Sequence, residues 1–155
     1  MGKIYPIEKL ETVIDYFSKK EEIKILLFGA GRQEVEILEK WEKSYPRVIS
    51  LAGKLQLHEE LQVLNLSDAL ISMDSANMHL ASLVGTPVIS IWGATHPSAG
   101  FYGFNQCPDN IIQADLPCRP CSTYGHKPCE RKDYMCLNTI MPEWIIRKTE
   151  SCLLK

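Results

Sequence analysis

Four short apolar runs punctuate the first hundred residues: Ile23-Lys24-Ile25-Leu26-Leu27-Phe28, Val48-Ile49-Ser50-Leu51, Ala69-Leu70-Ile71-Ser72-Met73 and Pro87-Val88-Ile89-Ser90-Ile91-Trp92. Between them lie stretches whose apolar residues recur every three or four positions, the signature of a helix with one buried face. The periodicity predicts helices over about 33–43, 57–66 and 75–84, with an amphipathic helix ahead of them that begins near Pro6 and buries Ile7, Leu10, Ile14 and Phe17. The second helix turns Val35, Leu38 and Trp41 inward, and the third turns Leu57, Leu61 and Leu64. Strands joined through helices pair in parallel, because a parallel neighbour needs a crossover connection. The runs are continuous rather than alternating, as burial on both faces of a parallel sheet requires. An α/β domain follows, with a Rossmann-like parallel sheet flanked by helices.

A chain of 155 residues with 45% hydrophobic content can bury one core but not two comfortable ones, so a single domain is expected. Net charge is -2, and the pair Lys19-Lys20 is balanced by Glu21-Glu22, so a nucleic-acid partner is not expected. No apolar run approaches the roughly 18 residues that span a bilayer, and no secretory h-region opens the chain. The expected location is the cytoplasm. After residue 98 the periodicity fades into Gly, Pro, Cys and aromatic residues, and it returns at Pro142 with Trp144, Ile145 and Lys148. The expected division is a core over 1–97, an ordered Cys-rich loop over 98–141 and a closing helix over 142–155.

Ligands of open parallel sheets sit beyond the carboxyl ends of the strands. Those four ends read Gly29-Ala30-Gly31, Ala52-Gly53-Lys54, Asp74-Ser75 and Gly93-Ala94-Thr95. Small residues therefore converge on one rim, where backbone can approach a ligand closely. Asp74 or Ser75 is expected to cap the following helix with a side-chain oxygen. The same helix start presents unpaired N–H groups and a partial positive charge that favour a diphosphate. His79 lies four residues past Ser75 on the same face and leans toward that end. Glu34, three residues after Gly31, either complements a helix dipole or accepts from ribose hydroxyls. Gly29-Ala30-Gly31-Arg32-Gln33-Glu34 lacks the third glycine of a dinucleotide fingerprint, which disfavours a redox cofactor.

The long motif Asp74-Ser75-Ala76-Asn77-Met78-His79-Leu80-Ala81, followed by Gly85-Thr86-Pro87-Val88 and Trp92-Gly93-Ala94-Thr95-His96-Pro97, resembles the C-terminal domain of glycosyltransferase family 9, the heptosyltransferases. The Phe28-Gly29-Ala30-Gly31 turn with Glu34 and the Leu51-Ala52-Gly53-Lys54 turn fit the same family in the same order. The resemblance implies the C-terminal half of a GT-B enzyme. Its donor-binding residues would be Asp74 at the sugar, Ser75, Ala76 and His79 around the diphosphate, and Glu34 at the ribose. The turns at Gly29 to Gly31 and Leu51 to Gly53 would border the base, and Lys54 and Thr95, on the same strand-end rim, are also expected to be donor-binding. It implies inverting transfer of a sugar, heptose from ADP-heptose, to a lipid-linked lipopolysaccharide-core acceptor, with no metal required. The family's general base belongs to an N-terminal domain that this chain lacks, so the 155 residues alone are expected to be inactive. Two alternatives are a non-catalytic nucleotide-sugar-binding module and a zinc-stapled interaction domain.

Six cysteines stand at 107, 118, 121, 129, 136 and 152. Cys118, Cys121, Cys129 and Cys136 form a C-x2-C-x7-C-x6-C array that suits either a structural zinc or thiols packed as small hydrophobes. Arg119, Lys127, Arg131 and Lys132 make the segment locally basic, and an anionic acceptor or a membrane surface would suit them, giving peripheral membrane association.

Overall fold

The computed structural model describes residues 2–154, so the outermost residues of the expected domain, Met1 and Lys155, lie outside the described residues. Helix α1 (Ile7–Ser18) leads into strand β1 (Ile25–Leu27), helix α2 (Arg32–Ser44) and strand β2 (Val48–Ser50). Helix α3 (Leu57–Asn65), strand β3 (Leu70–Met73), helix α4 (Ala76–Leu83) and strand β4 (Val88–Trp92) continue the alternation. A third parallel crossover reaches strand β5 (Ile111–Gln113), and helices α5 (Met135–Asn138) and α6 (Pro142–Leu153) close the chain.

All strand pairs are parallel. Strands β1 and β2 form one ladder, with Ile25 opposite Val48, and β3-β4-β5 form another, with Leu70 opposite Val88 and Ser90 opposite Ile111. The sequence leads one to expect a single sheet ending at β4. The structure corrects both points: the ladders are separate, and β5 extends the second from inside the segment expected to be loop. The core is therefore not confined to residues 1–97. Strand β5 offers only Ile111-Ile112 as an apolar run, shorter than the four to eight residues that identify a buried strand.

Strand β4 is buried at every position and organises the packing. Successive side chains of a strand leave by opposite faces. Ile89 and Ile91 enter a cluster with Val13, Phe17, Ile112, Leu137, Ile140 and Ile145, whereas Val88 and Trp92 enter one with Leu64, Met78 and Ala81. Helices α1 and α6 thus cover one face, and α3 and α4 the other. A third cluster, of Ile14, Leu27, Leu38, Trp41 and Val48, packs α2 on the first ladder. The expected inward faces hold for Leu38, Trp41 and Leu64. Ile7 and Leu57, the first residues of α1 and α3, are instead 42% and 60% exposed.

The segment before α1 is fixed by long-range contacts. Tyr5 is 1% exposed, and its hydroxyl donates to the Ile140 carbonyl at 3.0 Å. Burial, with smaller contributions from Glu143 and Glu8, pushes its pKa up to about 12, so the phenol stays protonated and donating. Gly2 accepts from the Ala94 N–H at 2.8 Å and donates to the Gly125 carbonyl at 3.2 Å. Residues 2–5 are thereby held across the exit of β4, and this places Lys3.

Candidate functional site

The ends of β3 and β4 carry most of the expected site. Ser75 occupies the N-cap position of α4 with extended backbone, yet its side chain makes no capping hydrogen bond. Its Oγ lies 3.0 Å from Ser72 Oγ instead. The expectation of a side-chain cap from Asp74 or Ser75 is therefore corrected: the serine hydroxyl turns to a neighbour in its own turn. First-turn N–H groups at this end receive no side-chain cap, which leaves the helix N-terminus open to an anion. Ser75, Ala76 and His79 are all exposed there.

Asp74 differs from these neighbours. It is 5% exposed, and its Oδ2 stands 2.8 Å from Lys3 Nζ, an ion pair in which that oxygen has no aligned hydrogen-bond partner among the described residues. The carboxylate is covered by Lys3, which is itself 31% exposed, so the group that meets solvent here is the ammonium. The direct Asp74–sugar contact implied by the family resemblance is thus screened in this arrangement. Lys3 is the site residue that sequence reading missed. It sits in no periodic segment, and its role depends on a chain crossing that spacing does not reveal.

On the first ladder, Gly31 is the N-cap of α2 with φ +83°, a conformation that an L side chain resists. Glu34 reaches back from the third helical position, and its Oε2 accepts from the Ala30 N–H at 3.0 Å. A Cβ on Gly29 would lie 2.9 Å from the Glu34 carboxyl carbon and 2.7 Å from Leu38 Cδ1, so glycine is what lets the carboxylate fold back. Glu34 therefore acts as a helix-start complement in this state, and it remains exposed toward solvent. Gly53 and Lys54 are exposed in the turn after β2, with Lys54 Nζ 3.5 Å from Glu42 Oε2. At the exit of β4, Thr95 is fully buried and its hydroxyl has no hydrogen-bond partner among the described residues. Two surface grooves, one beside Ile4, Pro6 and Leu137 and one between α1 and α6, contain none of these residues.

The four thiols of the Cys-rich array differ in burial. Cys118 is exposed, Cys121 and Cys129 are half-buried and Cys136 is buried, all as free cysteines. Among the described residues no three His, Cys, Asp or Glu side chains are grouped to hold one metal ion. The basic quartet divides between inward and solvent-facing positions. Arg119 turns inward to backbone carbonyls, Arg131 pairs with Asp133 at 3.1 Å, and only Lys127 and Lys132 of the four remain exposed without that engagement. Local amides, that of Tyr134 foremost, pull the Cys129 thiol down, whereas burial pushes Cys121 and Cys136 up. Alkylation of the native protein near pH 8 is accordingly expected to modify Cys129 well before Cys121 or Cys136. Peptide mapping over time would show this, and equal rates at the three sites would contradict it.

Comparison with known proteins places these features in context. The model of the family described as Glycosyltransferase family 9 (heptosyltransferase) matches residues 1–132. Lipooligosaccharide heptosyltransferase 2 of Campylobacter jejuni is 28% identical over 136 residues, covering 85% of this chain and 41% of that protein. The crystal structure of a glycosyl transferase family 9 protein from Veillonella parvula superposes with a TM-score of 0.74 at 26% identity, covering 99% of this chain and 42% of that one. E. coli heptosyltransferase WaaC with ADP shares the fold at a TM-score of 0.71 and 20% identity, covering 97% and 40%. The chain thus spans about two fifths of the length of the proteins it matches. Among the described residues no helix is long and apolar enough to cross a membrane.

Proposed function

This chain belongs to glycosyltransferase family 9, and on that premise we propose that it is the donor-holding half of a heptosyltransferase, gripping a nucleotide sugar along the strand-end rim. The observation that carries this reading is the uncapped N-terminus of α4 beside the Lys3 ammonium, both presented at the end of β3. Helix-end N–H groups and a fixed cation together favour a diphosphate. Such charge is most useful when the sugar departs and negative charge builds on the leaving nucleotide. Asp74 in this reading holds Lys3 in place, with His79 beside the phosphates, and Ser75 and Ala76 letting backbone approach. Glu34 exchanges its bond to the Ala30 amide for the ribose hydroxyls. Gly29, Gly31, Gly53 and Lys54 border the base, and Thr95 closes the rim under the phosphates.

The donor is ADP-heptose, a choice supported by the ADP named with the E. coli enzyme. The heptose passes with inversion, without a metal ion, to a lipid-linked lipopolysaccharide-core acceptor at the cytoplasmic face of the membrane. Deprotonating the acceptor hydroxyl needs a carboxylate free to reach it. Of the two rim carboxylates, Asp74 is committed to Lys3, and Glu34, released from the Ala30 amide, is occupied by the ribose hydroxyls in this reading. The base therefore comes from outside these residues, and this chain alone turns over no substrate.

Titration calorimetry with ADP, UDP and GDP tests the donor assignment. ADP is expected to bind at least about tenfold more tightly than the other two, a difference of about 1.4 kcal/mol. His79→Ala is expected to weaken ADP binding with little change in melting temperature, since the side chain is exposed. Equal affinity for all three nucleotides, or none for any, defeats the reading.

A further inference from the structure

Arg119 is half-buried, and its hydrogen-bond partners are all neutral. Its Nε donates to the Gly93 carbonyl and its Nη1 to the Ala114 carbonyl, while Nη2 donates to the Thr95 carbonyl at 3.0 Å and to Gln113 Oε1 at 3.1 Å. Four acceptors on the exits of β4 and β5 thereby converge on one guanidinium, which has five N–H donors in a rigid fork. The amides of Cys121 and Ser122 donate to the Ala94 carbonyl at 3.1 and 3.3 Å. Every carbonyl of the Gly93-Ala94-Thr95 turn is thus held by residues 119–122. Desolvation lowers the guanidinium pKa from its ordinary value, as expected for a charge drawn below the surface.

The Gly93, Ala94 and Thr95 carbonyls bring partial negative charge to the exit of β4, each turned to a donor of residues 119–122. A diphosphate arriving there meets that partial charge unless something offsets it. We infer that Arg119 is a positioning residue for the phosphate half of the rim, fixing the 93–95 turn and offsetting its carbonyl dipoles with one sunken positive charge. This rests on the placement of the diphosphate at α4 proposed above. Arg119 does not touch the ligand, because four of its five donors are already used. A lysine cannot replace it: a single ammonium is compact and cannot span acceptors on two strands.

The test compares ADP with adenosine, measured by calorimetry on the chain itself and on Arg119→Lys and Arg119→Met, with Arg131→Met as a surface control. Adenosine reports the base and ribose turns of the first ladder, whereas ADP adds the phosphates at the second. Both Arg119 variants are expected to lose about tenfold in ADP affinity while adenosine affinity stays within about twofold, with the control unchanged. A parallel loss for the two ligands means general loosening and overturns the inference, as does wild-type ADP affinity in either variant. Should Arg119→Met fail to fold, Arg119→Lys carries the comparison; if neither folds, Arg119 is a structural residue and the assignment falls. Failure of the unmutated chain to bind either ligand instead refutes the donor-binding reading, and this one with it.

Discussion

Lys3→Met is expected to destabilise the domain by about 2–3 kcal/mol in urea unfolding, although it alters a residue in the short segment ahead of α1. The substitution leaves the Asp74 carboxylate buried at 5% exposure without the one cation that pairs with it among the described residues. Stranding one member of a buried ion pair typically costs about 3–5 kcal/mol, and the partial exposure of Lys3 places this pair toward the lower side. Adding Asp74→Asn to Lys3→Met removes the stranded charge and is expected to restore most of the loss. Nucleotide affinity behaves differently: it should fall with Lys3→Met and stay low in the double variant, since the ammonium itself is gone. A destabilisation below about 0.5 kcal/mol for Lys3→Met, within the range of ordinary surface changes, would show that Asp74 does not depend on this partner.

Trp92→Ala is expected to cost about 3–5 kcal/mol, close to the whole stability of many small domains. Trp92 is fully buried, and it ends the central strand against Leu64, Met78 and Ala81. Its indole Nε1 donates to Ser90 Oγ at 2.9 Å, two positions back on the same face. Truncation opens a large cavity on the α3–α4 side and also leaves the Ser90 hydroxyl without its donor. Trp92→Phe keeps most of the volume and should cost considerably less. Urea midpoints for the two variants check the ordering, and an alanine variant as stable as the phenylalanine one would contradict the packing described.

Helix and strand positions were largely readable because each reports a local periodicity. The four apolar runs became β1 to β4 with their ends trimmed by one or two residues, and five expected helices formed within a residue or two of their expected limits. Strand β5 escaped notice because two isoleucines between polar neighbours look no different from a loop that happens to hold them. The directions of the cysteines and of the basic quartet are not legible in spacing for a related reason. Spacing along the chain says which groups lie near each other in sequence, but not which way an irregular segment points them, and here Arg119 faces carbonyls while the thiols range from exposed to buried.

The sequence by itself determined the alternation of buried strands and one-faced helices, and with it the rim at which small residues and the start of α4 meet. Its motif from Asp74 to Pro97 also identified the family. Tertiary structure alone decided that Lys3 lies on Asp74 and that Arg119 holds the turn after β4. These arrangements join segments far apart in the chain, and their geometry is fixed by how layers pack and charges find partners, which no local pattern of residues records.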